Sequence, residues 1–130
     1  AARPLTPPQV TERVIDAVAG GAGAVIPVLP VTDTLKTVDA AGVVVGTPRR
    51  SDMVAVQTPQ GFRWDVLIRA HEEVASLGAA EARAATDDAG LVEAIGGTVH
   101  TVAGDERSMK VTRPLDLALA QILIAEETSA

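Results

Sequence analysis

Ala24-Val25-Ile26-Pro27-Val28-Leu29 is the stretch that decides the fold: six apolar residues in a row, three of them β-branched, with glycines before and Pro30 after. A short apolar run without alternation reads as a strand covered on both faces, which is where layered α/β proteins place their inner strands. Upstream, Thr6 is placed to N-cap a helix, Pro7 and Pro8 suit its first turn, and Gln9 stands where a capping-box partner belongs. Val10, Val14, Ile15 and Val18 then recur at helical spacing, and Gly20-Gly21 closes the element.

Downstream of the strand the pattern becomes irregular. Thr34–Val38 and Val43–Val45 read as short strands around Asp39-Ala40-Ala41-Gly42, which has turn chemistry. Pro48–Asp52 is a polar connector and Met53–Gln57 a further strand. This region carries too few apolar residues for a core of its own, so it is expected to project as an arm that a partner surface stabilises. Thr58-Pro59-Gln60-Gly61-Phe62 is a punctuated loop. A helix follows from Asp65 to Gly78, with Trp64, Leu67, Ile68, His71, Val74 and Ala75 on one broad face. Ala79–Ala85 is a small-residue connector, Thr86 or Asp87 caps a short helix through Ile95, and Thr98–Val102 alternates as a strand. Lys110–Thr112 suggests one more strand. Thr112 is expected to cap the last helix, with Pro114 in its first turn and Leu115, Leu119, Ile122 and Leu123 as its buried stripe. Strands alternating with helices mark an α/β fold, and two or three core strands amount to half a sheet.

The 130 residues are the size of one domain, 47% apolar and 22% charged, with a single Phe, a single Trp and no Tyr. The core is therefore expected to be aliphatic. A formal net charge of −6 and the shortage of aromatics argue against nucleic acid as a partner. Without cysteine there is no disulfide, zinc thiolate or thiol nucleophile. The longest apolar run is interrupted by glycines and prolines, too short for a membrane span, and no signal peptide is evident. The expectation is a cytoplasmic protein.

Single residues say little about chemistry. His71 and His100 stand in no motif that supplies a positioned partner, and both read as structural. Gly20-Gly21-Ala22-Gly23 precedes a strand, whereas phosphate-binding glycine loops follow one, so a helix end is preferred. Asp87-Asp88 could hold a cation, but negative charge at a helix start is the simpler reading. Lys110 between Met109 and Val111 needs an anionic partner if it is buried at all.

Four segments taken in order carry more weight. Ala1-Ala2-Arg3-Pro4, then Pro30-Val31-Thr32-Asp33-Thr34-Leu35-Lys36, then Gln57-Thr58-Pro59-Gln60-Gly61-Phe62, and finally Lys110-Val111-Thr112-Arg113-Pro114-Leu115-Asp116 run the length of the chain. Thr86-Asp87-Asp88-Ala89 stands between the last two. The set closely resembles the 2-C-methyl-D-erythritol 4-phosphate cytidylyltransferase family of the non-mevalonate isoprenoid pathway.

The resemblance implies the C-terminal half of a Rossmann-like nucleotidyltransferase fold, three-layered with a mostly parallel sheet, all of 1–130 forming one partial domain. Within it, 31–57 would be a β-hairpin dimerisation arm. The implied reaction joins CTP to methylerythritol phosphate, releasing pyrophosphate with Mg²⁺. An anion attacks a polyanion, so catalysis is charge neutralisation and positioning, with no general base needed. The family pattern places the catalytic cations at Arg50 and Lys110. Arg50 stands eight residues before Thr58, the family's interval, with Arg49 the neighbour that could be confused with it. Arg3, Thr34, Thr58 and Thr86 match substrate-binding positions, and Ala1 would lie near CTP. Arg50 of one subunit would face Lys110 of the other in a homodimer. The family's Gly-rich CTP loop, its catalytic lysine and arginine and its metal-binding aspartate would precede Ala1. The expectation is thus a piece of a longer enzyme, inactive alone, with no metal ligands of its own. Ribitol-phosphate cytidylyltransferase and a non-catalytic dimerisation module are the rival readings.

Overall fold

The computed structural model describes residues 2–78, 80 and 84–130. Ala1 and part of the Ala79–Ala85 connector lie outside the described residues. Helix α1 (Pro8–Ala19) leads into strand β1 (Ala24–Pro30), followed by β2 (Thr37–Val38), β3 (Val44–Gly46), β4 (Val54–Val56) and β5 (Gly61–Phe62). Helix α2 (Trp64–Leu77), helix α3 (Asp88–Ala94), strand β6 (His100–Ala103) and helix α4 (Pro114–Ser129) complete the order.

Strand β1 is the centre of the four-stranded sheet. On one side it pairs in parallel with β6, Val25 opposite His100 through Val28 opposite Ala103. On the other it is antiparallel to β4 (Leu29 opposite Ala55) and to β5 (Ala24 opposite Phe62, Val25 opposite Gly61). Alternation along β1 sends Ala24 to one face and Val25 to the other. Ala24, Ala70 of α2 and Val92 of α3 form a buried cluster, with Phe62, Val66, Leu91, Ile95 and Val99 packed against it. On the Val25 face lies α1, through Val10 and Val14. The approach is close: a Cβ on Gly61 would stand 2.4 Å from Val14 Cγ1. Three layers result, helix over sheet over helices, with a core of small aliphatic side chains.

The segment between β1 and β4 stays out of these layers. Its β2–β3 hairpin forms a separate two-stranded sheet, and residues 32–45 are all exposed. Asp39 builds the turn, Oδ1 accepting from the amides of Ala41 and Val43 at 2.9 Å each, and Gly42 takes the positive φ of 81° that the turn needs.

Several local expectations are corrected. Thr6 is not the N-cap of α1; Pro7 is, with no side-chain cap, and the Thr6 hydroxyl turns back to donate to the Arg3 carbonyl. Trp64 is 77% exposed, and His71 and Ala75 also face outward. The buried row of α2 runs through Val66, Ala70 and Val74, and Trp64 lies roughly across the helix from Val66. Lys110–Thr112 is extended but not a strand; the Val111 amide donates to the Ala2 carbonyl at 2.8 Å. Arg113, not Thr112, is the N-cap of α4, and the capping oxygen is Oδ2 of Asp116, which accepts from the amides of Thr112 and Arg113. Of the stripe expected on α4, Leu115, Leu119 and Ile122 are exposed and Leu123 is half-buried, while Ala120 is the buried residue. Helix α4 is apolar all round, so periodicity could not single out a face.

Candidate functional site

Beside the β4–β5 loop lies an open cavity of about 650 Å³, lined by Arg3, Gln57, Thr58, Gln60, Phe62, Thr86, Asp87 and Asp88 among others. Three of the expected site residues, Arg3, Thr58 and Thr86, meet here although they are far apart in sequence.

Each wall is held by a specific device. Arg3 reaches two backbone carbonyls, donating through Nη1 to Ser108 and through Nη2 to Val56. Burial pulls its guanidinium below its ordinary value. The loop wall is anchored at Gln57, which is buried: its amide Nε2 donates to the Asp105 carbonyl at 2.9 Å and Oε1 accepts from the Asp105 amide at 3.0 Å. Gly104 has to be small here, since a Cβ would come within 2.3 Å of Gln57 Oε1. From α1, Arg13 donates to the carbonyls of Ala103 and Gly104 and steadies the same turn.

The third wall is the start of α3. Asp87 is its N-cap, Oδ1 accepting from the Gly90 amide at 2.8 Å. Oδ2 accepts from Gln60 Nε2 at 2.7 Å, and Gln60 Oε1 accepts from the Ala89 amide at 3.3 Å. His71, expected to lack a partner, has Nε2 3.0 Å from Asp88 Oδ1 and ties α2 to the start of α3. These carboxylates are engaged as caps and clasps. Among the described residues no group of three or more His, Asp or Glu is placed to hold a metal ion. With Asp87 and Asp88 already engaged in hydrogen bonds, the described residues beside the cavity offer no free pair of carboxylates for Mg²⁺.

The remaining expected residues lie apart from the cavity in the single chain. Lys110 is exposed, on the extended segment whose next residue, Val111, bonds Ala2 beside Arg3. Arg50 is exposed at the 3-10 turn Arg50–Asp52 and donates to the Thr32 carbonyl at 2.9 Å, while its neighbour Arg49 pairs with Asp52. Thr34 is exposed in the approach to β2. Gln57, Gln60 and Arg13 were given no role from sequence. The two glutamines lie inside the quoted loop motif, but nothing in the pattern tells a side chain that braces backbone from one that faces solvent.

Residues 1–126 match the family model described as IspD: 2-C-methyl-D-erythritol 4-phosphate cytidylyltransferase. The chain is 53% identical over 126 residues to the 2-C-methyl-D-erythritol 4-phosphate cytidylyltransferase of Rhodococcus jostii, covering 97% of this chain and 53% of the relative. Against the enzyme of the same name from Frankia casuarinae it is 56% identical, covering 96% and 44% respectively. It superposes on the crystal structure of the Thermus thermophilus cytidylyltransferase with a TM-score of 0.79 at 39% identity, over 94% of this chain and 57% of that one. On the Francisella tularensis cytidylyltransferase the TM-score is 0.83 at 25% identity, over 93% and 55%. The chain spans about half the length of the curated relatives it matches. With a Rossmann-like α/β layering, a cavity that gathers Arg3, Thr58 and Thr86, and a match over 1–126, the chain belongs to the 2-C-methyl-D-erythritol 4-phosphate cytidylyltransferase family.

Proposed function

We propose that this chain is the sugar-phosphate side of an enzyme that transfers a cytidylyl group from CTP to 2-C-methyl-D-erythritol 4-phosphate. The observation that carries the reading is the convergence of Arg3, Thr58 and Thr86 on one open cavity. A phosphate oxygen of the sugar forms a bond to the α-phosphorus of CTP while the bond to the β-phosphate bridging oxygen breaks, and pyrophosphate leaves. The attacking phosphate is ionised at neutral pH, so no side chain has to remove a proton. What the chain must supply is charge and placement. Thr58 and Thr86 offer hydroxyls to the polyol, and Arg3 adds positive potential.

Arg50 and Lys110 complete the phosphate site across a two-fold axis, Arg50 reaching it from the partner subunit on the arm of residues 31–57. The exposed Val38, Val43, Val44 and Val45 of the hairpin support such pairing, because apolar side chains on a thin projection gain by being covered. Thr34, at the root of the arm, lines the same composite site. The CTP loop and the Mg²⁺ ligands belong to a further segment of the enzyme, the counterpart of the part of the relatives that this chain does not cover. The exposed apolar sides of α4 leave room for that segment to pack. Mg²⁺ would neutralise phosphate charge when bound, its ligands coming with that segment. A cytoplasmic location goes with this reading. Among the described residues no helix is long and apolar enough to cross a membrane.

The test is an assay of the intact enzyme with CTP and either methylerythritol phosphate or ribitol phosphate. Preference for the first is expected, and preference for ribitol phosphate would transfer the chain to the sister activity. Arg50→Ala and Lys110→Ala should each lower kcat/KM by about tenfold to a hundredfold, the worth of one charge-assisted hydrogen bond. Unchanged turnover would remove that residue from the site. Sedimentation should show a dimer; a monomer at assay concentration would leave Arg50 without a site to complete.

A further inference from the structure

Thr58 and Thr86 sit on different walls of the cavity, and one side chain bridges those walls. Gln60, two residues after Thr58, gives its Nε2–H to Asp87 Oδ2 at 2.7 Å and takes the Ala89 amide on Oε1 at 3.3 Å. Asp87 follows Thr86 directly and is itself locked as the cap of α3 by the Gly90 amide. The other end of the loop cannot drift, because Gln57 is clamped to both backbone groups of Asp105 and its own amide donates to the Pro27 carbonyl at 2.8 Å. A loop fixed at one end and bridged at the other has little freedom to change the separation of the two threonines.

We propose that Gln60 is a positioning residue, acting through Asp87, that sets the separation of Thr58 and Thr86 and thereby the affinity for the sugar phosphate. The inference rests on the proposed cytidylyl transfer. The bridge has a defined polarity: the glutamine NH₂ must meet the carboxylate and the glutamine carbonyl must meet the Ala89 amide. Reversing the amide would place its NH₂ against the Ala89 N–H.

That polarity supplies the test. In Gln60→Glu two carboxylates face each other. In Asp87→Asn the new amide can still cap Gly90 through its oxygen, but its NH₂ then faces the NH₂ of Gln60. The double variant, Gln60→Glu with Asp87→Asn, restores the pairing in reverse. The amide now at position 87 donates to the carboxylate at position 60, which still accepts from Ala89, and the charge of the wild type is kept. KM for the sugar phosphate and for CTP, kcat, and the thermal midpoint are measured for all four intact enzymes. Each single variant should raise the sugar-phosphate KM about tenfold, one hydrogen bond to a charged group, with the CTP KM within about twofold of wild type. The double variant should recover most of that loss. An unchanged sugar-phosphate KM in Gln60→Glu overturns the proposal, as does a double variant no better than the worse single. Equal losses in both KM values together with a lowered midpoint also overturn it, since they report general disruption. If the wild type prefers the other polyol phosphate, the substrate reading falls and the four proteins are compared on that substrate, where the proposal is decided by the same pattern. A wild type that turns over neither polyol removes the reading and the proposal with it.

Discussion

Strand β1 and helix α4 are both apolar for most of their length, yet they end in opposite surroundings. Ala24, Val25 and Ile26 lie within the layers, covered by α1 on one face and by α2 and α3 on the other. In α4 the side chains of Leu115, Leu117, Leu119, Ile122 and Ile124 are all about half exposed or more. Its contacts with the rest of the chain include the buried Ala120, the Asp116 cap at its start and the Arg107–Glu127 ion pair near its end. Apolar composition states what can be buried; the neighbours decide what is.

The largest effect belongs to the covered strand. Val25→Asp would place an unpaired charge between β5, β6 and α1, and should unfold the chain at a cost above about 4 kcal/mol, read as loss of the denaturant transition. A folded Val25→Asp protein would mean that β1 is not the covered element described here. Gly61→Ala tests the tight contact with Val14 and should cost about 1–3 kcal/mol by overpacking, seen as a lower denaturation midpoint. Loss of less than about 0.5 kcal/mol would show that α1 can retreat from the sheet.

A smaller, pH-dependent effect is expected at the start of α4. Amide hydrogen bonds from Thr112 and Arg113 hold the Asp116 carboxyl well below its ordinary value, at about 2. The folded value is the lower one, so the stabilisation is fully present above the ordinary carboxylate value and is lost as the pH falls through about 2. Protection of the Thr112 and Arg113 amides from hydrogen exchange, relative to their intrinsic rates, should therefore fall over that acid range in the wild type, while Asp116→Asn is less protected from the outset and its protection does not change with pH there. Identical profiles would show that the carboxylate does not hold the turn. The smallest effect is on the open side of α4. Leu119→Ser in this chain should change stability by about 1 kcal/mol or less, because about half of that side chain already lies in water. A loss of about 2 kcal/mol or more would place Leu119 against a neighbour.

The same contrast explains what could be read from sequence. The covered strand and its flanking helices were legible, because burial on both faces leaves an unbroken apolar run and burial on one face leaves a helical period. The hairpin was legible from Asp39 and Gly42, whose chemistry is local. The stripe on α4 was not, since a helix apolar on every side carries no direction. Caps were legible in place but not always in agent: Asp87 does cap α3, whereas the caps expected of Thr6 and Thr112 fall to Pro7 and Arg113. The motif residues Arg3, Thr58 and Thr86 could be named because they sit in strings of family pattern, and the structure brings them together. Gln57 and Gln60 stood in those strings and stayed silent, since their partners, three backbone groups and the Asp87 carboxylate, are 27 to 48 positions away. Arg50 and Lys110 are a different matter, because in the single chain both are exposed and lie apart from the cavity.

Arg3 offers one last lesson about how a cation can serve an anion. Its two terminal nitrogens each donate to a carbonyl, of Ser108 and of Val56, and so brace the β4 end against the turn before Lys110, while three of the five guanidinium N–H groups are left over. Replacement by lysine would keep the field and drop the brace, separating long-range attraction from the rigidity of the cavity's floor.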